Sequence, residues 1–118
     1  MYELMIEETF DSAHALRGYS GPCESLHGHT FKVQAFFEGD KLDNIGLLVD
    51  FKILKNKVSA ILAEFDHIFL NDLAEFKSVN PSSENIARII YGKIKNQFSL
   101  LSKVTVWESQ TASATYRE

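Results

Sequence analysis

Regular alternation of apolar and polar side chains over residues 27–38 is the feature that most limits how this chain can fold. Four apolar residues recur there at every second position and so share one face of an extended strand: Phe31, Val33, Ala35 and Phe37. The same period of two runs through residues 2–16, where Tyr2, Leu4 and Ile6 oppose Glu3 and Glu7. Half-buried strands of this kind predict an antiparallel sheet with one covered face.

The middle of the chain changes to a spacing of three and four residues, which is typical of helices. Asp50 can cap a first helix with its carboxylate. The apolar stripe of that helix is Phe51, Leu54, Val58, Ile61, Leu62 and Phe65. A second helix begins at Asn80–Glu84, capped by either Asn80 or Ser82. Its stripe is Ile86, Ile90, Ile94 and Phe98.

Two further strands close the chain, one at Val104 and Val106 and one over residues 111–116. The order is then strand, strand, helix, helix, strand, strand. It predicts an α+β fold in a single domain, residues 1–118, with both helices on one face of a four-stranded antiparallel sheet. Such a sheet leaves two edges and a poorly covered face, so we expect the chain to form oligomers.

Composition excludes several kinds of partner. The 118 residues include 12 basic and 16 acidic side chains, a formal net charge of −4, whereas nucleic-acid-binding proteins usually carry excess positive charge. No apolar stretch approaches the roughly 20 residues that span a bilayer. The N-terminus does not resemble a signal peptide, and Cys23 is the single cysteine. A cytoplasmic protein without nucleic-acid or membrane partners is the expectation.

Three histidines form the strongest candidate site. His27 and His29 lie two residues apart on a strand and therefore point to one face. His14 ends the preceding strand and would lie opposite them in a hairpin. Three neutral imidazoles with an open fourth position describe a catalytic zinc site. Taken alone, a pair of histidines at this spacing is more often a surface or core feature than a ligand pair.

Three other positions in the chain each allow more than one interpretation. Cys23 can be a fourth metal ligand, a reactive thiol near the metal or an inert small apolar residue. Asp66 beside His67 can set the imidazole tautomer, or the pair can simply be solvated. Glu108 can be an exposed strand end, or its carboxylate can accept two parallel hydrogen bonds from an amidine-like ligand edge.

The order and spacing of six segments resemble one known family over nearly the whole chain. These segments are Phe10–His14, Cys23–His29, Leu48–Phe51, Asp66–Asn71, Pro81–Ala87 and Trp107–Ser109. Any one segment alone is a weak indication of a family, but together, in this order and at these spacings, the six segments are specific for one. The chain resembles the family of 6-pyruvoyltetrahydropterin synthases and 6-carboxytetrahydropterin synthases.

The resemblance implies the tunnelling fold, in which three subunits join their sheets into a barrel and two trimers stack as a homohexamer. It implies zinc held by His14, His27 and His29, and a pterin ring anchored by Glu108. Cys23 would be the catalytic thiol. Asp66 and His67 would complete the site from a neighbouring subunit.

The implied activity is that of a carbon–carbon lyase of queuosine biosynthesis. It would convert 7,8-dihydroneopterin triphosphate to 6-carboxy-5,6,7,8-tetrahydropterin, releasing acetaldehyde and triphosphate. Three residues separate Cys23 from His27, which resembles this branch, whereas pyruvoyl-forming relatives typically have a longer gap. Glu24 lies three residues before His27, where another branch uses glutamate in place of cysteine to make 6-hydroxymethyl-dihydropterin for folate. A chain that carries both Cys23 and Glu24 resembles a branch that serves both pathways. Ala15 and Leu16 stand where many relatives have a basic residue after the histidine.

Several points stay open in the sequence. The triphosphate could contact any of four basic residues: Arg17, Lys32, Lys52 and Arg88. A zinc module without turnover, closed by Cys23 as fourth ligand, is a rival hypothesis. A dihydroneopterin aldolase is another, although the zinc site argues against it because that chemistry on this fold resembles a metal-free reaction.

Overall fold

The computed structural model describes residues 1–19 and 26–118, which contain one antiparallel sheet in the order β1-β2-β3-β4. The strands are β1 (Tyr2–His14), β2 (His27–Gly39), β3 (Leu101–Trp107) and β4 (Ser113–Arg117). Helices α1 (Phe51–Leu62) and α2 (Ser83–Lys95) lie between β2 and β3 in the chain. Short 3-10 turns follow α1, at Ala63–Phe65, Leu70–Asp72 and Ala74–Phe76. The predicted order of elements is confirmed.

The core lies between one face of the sheet and the two helices. All four alternating residues of β2 are buried in it, as are the inner residues of α2, which include Ile86, Ile90 and Ile94. Helix α1 packs on β1, and α2 packs on β3 and β4. The helices therefore cover one face, as predicted, because the apolar stripes can leave water only on that side.

Both helices begin at capping side chains that the sequence indicated. The Asp50 carboxylate accepts a hydrogen bond from the backbone N–H of Lys52. At α2, the hydroxyl of Ser82 accepts from the N–H of Asn85, so Ser82 is the cap. The Asn80 side chain instead pairs with the backbone of Arg17, through both its N–H and its carbonyl.

Two expectations about element detail were wrong. The first strand ends at His14, not at residue 16, because the Asn71 amide bonds both backbone groups of Ala15 in place of a neighbouring strand. Phe51 does not join the core stripe: half of its surface is exposed. It is the first residue of α1 and borders a shallow groove beside Met5, at the rim of the core.

The β1–β2 hairpin positions the candidate site. Its register pairs Phe10 with Phe31 and His14 directly with His27. The core-facing positions of the hairpin are therefore apolar along most of its length and become histidines at the end. There they meet the N-terminus of α2, where Pro81 is buried beside His14.

Candidate functional site

The three predicted histidines converge. The ring centroids of His14 and His27 are 4.5 Å apart, those of His27 and His29 are 4.7 Å apart, and those of His14 and His29 are 5.3 Å apart. Alternation and register along β1 and β2 place all three rings on one face.

His14 is held in one orientation by α2. It is fully buried, and its Nδ1 lies 2.7 Å from the carbonyl oxygen of Pro81. Since a carbonyl can only accept, Nδ1 carries the proton in this contact and Nε2 presents a lone pair. Burial, the largest cause, lowers the pKa of His14, with further lowering from the nearby imidazoles of His27 and His29. Nothing in the sequence indicated that the Pro81 carbonyl would serve as this acceptor.

Glu108 joins the histidines, which the sequence did not predict. It follows the last residue of β3, and its Oε1 lies 3.2 Å from His14 Nε2 and 4.0 Å from His29 Nε2. The signal that could have indicated this is the pairing of β2 with β3, in which Trp107 lies opposite Lys32. That register carries the next residue of β3 toward the histidine end of β2.

The cluster fits a metal ion. One ligand atom from each of His14, His27, His29 and Glu108 can be chosen so that all lie within 4.8 Å of one another. Within the described part of the chain, the Nε2 atoms of His14 and His29 are buried and have no hydrogen-bond partner. Buried polar atoms normally find one, so these two are accounted for if they are ligands. Three imidazoles and a carboxylate are a donor set that suits zinc and other divalent transition metals.

Asp66 and His67 form a second cluster on the edge of β1. Asp66 Oδ2 lies 2.9 Å from His67 Nδ1, and Asp66 Oδ1 accepts a hydrogen bond of 2.8 Å from the backbone N–H of Asp11. The Asp11 N–H, and then His67, lower the pKa of Asp66. The side chains of Asp66 and His67 are thus in contact, and the sequence did not predict the participation of the Asp11 backbone.

The backbone at this dyad is strained. His67 has φ of +56°, in the left-handed region that non-glycine residues seldom occupy. Contacts with β1 hold it: the His67 N–H donates to the Asp11 carbonyl, and the N–H of Ala13 donates to the Ile68 carbonyl. The imidazole itself is 76% exposed. A reactive group displayed in this way is available to another molecule.

The two clusters are not brought together within one chain. On β1 the side chains of Ser12 and His14 are buried on the core face, and Asp11, the residue before Ser12, is exposed on the other face. The Asp11 carboxylate accepts from Thr30 and lies within 4.8 Å of ligand atoms of Asp66 and His67. The sheet therefore separates the dyad from the histidines of the same chain.

Cys23 and Glu24 lie outside the described residues, so their predicted places stay untested. The basic candidates are described. Arg17 donates through its guanidinium to the carbonyls of Phe76 and Val79, which makes it a structural residue here. Lys32 lies over the Trp107 ring, and Lys52 and Arg88 are exposed.

Comparison with known proteins decides the family. The family model described as 6-pyruvoyl tetrahydropterin synthase matches residues 3–118. The chain belongs to the 6-pyruvoyl tetrahydropterin synthase family. The resemblance found in the sequence is thereby confirmed, as is the prediction of an enzyme.

Individual relatives within this pterin synthase family agree. The chain is 30% identical to the 6-carboxy-5,6,7,8-tetrahydropterin synthase of Haemophilus influenzae, with 100% of each chain covered. It is 33% identical to a dihydroneopterin monophosphate aldolase of Pyrococcus furiosus, over 89% of this chain and 88% of that protein. The 6-pyruvoyl tetrahydropterin synthase structure of Caenorhabditis elegans superposes with a TM-score of 0.90 at 28% identity, over 99% of this chain and 95% of that one. The predicted four-stranded antiparallel sheet with two helices is confirmed by this match.

Neither α1 nor α2, the two α-helices of the described residues, is long and apolar enough to cross a membrane.

Proposed function

We propose that this chain is a zinc-dependent 6-carboxy-5,6,7,8-tetrahydropterin synthase of queuosine biosynthesis. It would convert 7,8-dihydroneopterin triphosphate and water to 6-carboxytetrahydropterin, acetaldehyde and triphosphate. The observation that carries the proposal is the convergence of His14, His27 and His29. The buried Nε2 atoms of His14 and His29, which have no hydrogen-bond partner among the described residues, suit a metal ion. Alignment over its full length with a relative of that name supports the choice of product.

His14, His27 and His29 would hold the zinc, with the Pro81 carbonyl fixing the tautomer of His14. When bound, zinc would supply Lewis-acid stabilisation of negative charge that develops on the oxygens of the substrate side chain. Glu108 would accept two hydrogen bonds from the amidine-like edge of the pterin, which fixes the ring relative to the histidines. Its position beside the histidine cluster supports this role.

Cys23 as a thiolate would move protons at the side-chain carbons of the substrate. Asp66 accepts from Nδ1 of His67, so His67 Nε2 is the nitrogen left to exchange a proton with the thiol or the substrate. The ionised state of Asp66 is favoured by the Asp11 N–H. The dyad can hold the imidazole in this orientation while the ring stays exposed.

The separation of the two clusters supports an active site shared between copies of the chain. A substrate bound at the histidines cannot reach Asp66 and His67 of the same chain through the sheet, because Asp11 and His14 point to opposite faces. A neighbouring chain would supply the dyad. Homohexamers built as two stacked trimers, with barrels formed from joined sheets, satisfy this requirement and cover the open sheet face.

A second candidate function is formation of 6-hydroxymethyl-dihydropterin. The observation that favours it is the aldolase relative, which aligns over 89% of the chain. This alignment weakens the sequence argument that the histidine set excludes such chemistry. A pyruvoyl product is a third outcome, and the Caenorhabditis elegans structure carries that name.

Product analysis decides among them. The protein is incubated with 7,8-dihydroneopterin triphosphate under reducing conditions, and the pterins are separated by mass. We expect chiefly the carboxy product, with acetaldehyde in equal amount. A dominant pyruvoyl product would refute the assignment, and a dominant hydroxymethyl product would favour the aldolase. A protein that binds zinc and yields none of the three would indicate the module without turnover.

A further inference from the structure

The contact between Glu108 and the histidines is closer than a carboxylate reserved for substrate requires. Its Oε1 lies 3.2 Å from His14 Nε2, and their alignment is not that of a hydrogen bond. The proton of a neutral His14 is committed to the Pro81 carbonyl through Nδ1. Two groups that both present lone pairs therefore face each other.

Such a pair repels unless a cation lies between the two atoms. In residues 1–19 and 26–118, no Lys or Arg forms an ion pair with Glu108; its ionic contacts are to His14 and His29. His29 Nε2 is likewise buried without a hydrogen-bond partner. A divalent cation bound to the three imidazoles would accept a lone pair from each group and also from Oε1.

Glu108 is also partly exposed, at a surface position. It lies between β3 and β4, in a connection where its N–H donates to the Ala112 carbonyl and the N–H of Thr111 donates to Ser109 Oγ. Its side chain is 32% exposed, so rotation about its side-chain bonds does not disturb the core. A short, exposed connection of this kind tolerates a change of rotamer.

We propose that Glu108 is an exchangeable fourth ligand of the metal. In the substrate-free enzyme its carboxylate coordinates the ion with His14, His27 and His29, giving the tetrahedral 3N,1O site that zinc prefers. When a pterin arrives, the carboxylate leaves the metal and binds the ring, so the fourth position opens only with substrate in place. This inference rests on the proposed function, because it assumes a metal at the histidines and a pterin at Glu108.

The test measures metal affinity without turnover. Co²⁺ is bound to the intact protein and titrated with a competing chelator, and its visible absorption reports the coordination. Even outer partners of metal ligands are worth roughly 10–100-fold in affinity, so Glu108→Gln should weaken Co²⁺ binding at least about tenfold. Glu38→Gln, at the opposite end of β2, makes the same charge change and should bind Co²⁺ as the wild type does.

A second measurement uses the wild type alone. The probe is pterin without a 6-side chain, which offers the amidine edge but no side-chain hydroxyls. If it draws Glu108 from the metal, it should change the Co²⁺ spectrum and weaken Co²⁺ binding. The same factor must then describe how Co²⁺ weakens pterin binding, by linkage.

The outcomes separate the two proposals. The exchange of Glu108 is overturned if Glu108→Gln binds Co²⁺ as tightly as the wild type does. It is also overturned if pterin leaves the Co²⁺ affinity of the wild type unchanged or raises it. Either result leaves the proposed synthase intact. A wild-type protein that binds neither Co²⁺ nor zinc overturns both.

Discussion

At the scale of single residues, the site depends on which ring nitrogens already have a hydrogen-bond partner. His14 Nδ1 is held by Pro81, and the Nε2 atoms of His14 and His29 have no hydrogen-bond partner among the residues described. His27 and His29 are only partly buried, so removing either imidazole takes away a candidate ligand and should leave the buried apolar cluster intact.

We expect about one zinc ion per subunit in the wild type and a loss of zinc in His27→Ala and in His29→Ala. The oligomer should persist in both variants, because its stability comes from apolar strand and helix faces. Metal analysis after gel filtration measures zinc content and assembly together. Full zinc occupancy in either variant would remove that histidine from the site.

Cys23 and Glu24 are two candidate catalytic side chains at neighbouring positions. A thiolate and a carboxylate differ in basicity and reach, so they should abstract different protons and direct different cleavages. Cys23→Ala should abolish the carboxy product and retain zinc, since three histidines suffice as protein ligands. Any hydroxymethyl product that remains should vanish when Glu24→Ala is added. If Glu24→Ala alone leaves all product ratios unchanged, Glu24 is a solvated loop residue and the dual function fails.

At the scale of elements, the N-terminus of α2 contributes to the site as well as to the fold. Ser82 caps the helix, and the carbonyl of the preceding Pro81 orients His14. Fraying of the first turn of α2 would therefore loosen the contact that orients His14. The cap of α2 at Ser82 and the orientation of His14 are therefore coupled through the Pro81–Ser82 peptide.

Ser82→Ala should lower the free energy of unfolding by about 1 kcal/mol, the usual cost of a lost N-cap. Ser83→Ala is a matched control, because Ser83 lies inside the helix and no cap bond depends on it. Urea denaturation of the metal-free proteins compares the two. Equal midpoints in both variants would show that Ser82 does not stabilise α2.

The contacts of Asp66 in the segment after α1 should make the stability of the protein depend on pH. The pKa of Asp66 is lowered from its ordinary value of 3.8 by the Asp11 N–H and by His67. A carboxyl whose pKa falls on folding stabilises the native state above its unfolded pKa, and the stabilisation is lost as pH falls through the folded value. The stability difference between the wild type and Asp66→Asn should therefore shrink as pH drops below 3.8. A difference that stays constant down to pH 2 would contradict this account.

The sequence was sufficient to predict those parts of the fold and of the site that depend on local periodicity. Alternation placed His14, His27 and His29 on one face, and the helical stripes located the core face of α2. It failed where contacts depend on the register between distant strands, as for Glu108, whose approach to His14 depends on the pairing of β3 with β2 that sets Trp107 opposite Lys32. It failed also at Phe51, since a periodic position at the end of a helix does not reveal where the sheet ends.

At the scale of the whole molecule, the sheet divides the chemistry. The histidines lie on the helix-covered face of the hairpin, and the Asp11–Asp66–His67 cluster lies on the other side at the edge of β1. The open face carries polar and aromatic contacts, such as the bond from Trp107 Nε1 to Gln34, rather than a dry core. A site that needs both clusters must therefore combine two chains.

Mixed oligomers test this directly. His27→Ala removes a metal ligand and His67→Ala removes the dyad imidazole, so each variant alone should be inactive. If a site takes its metal from one chain and its dyad from another, random 1:1 mixing leaves both intact at about a quarter of the sites. Coexpression of the two variants should thus restore about a quarter of wild-type activity per site. A site contained within one chain would recover nothing, since every chain carries a lesion.

The matched control places both substitutions in one chain and coexpresses it with the wild type. A shared site again predicts about a quarter of full activity, whereas a site within one chain predicts about half, because half of the chains are unaltered. Zinc content should be half of the wild-type value in both mixtures, which verifies the mixing ratio independently of turnover. Equal recovery in the two mixtures supports a shared site, and recovery in the control alone would show that each chain works by itself.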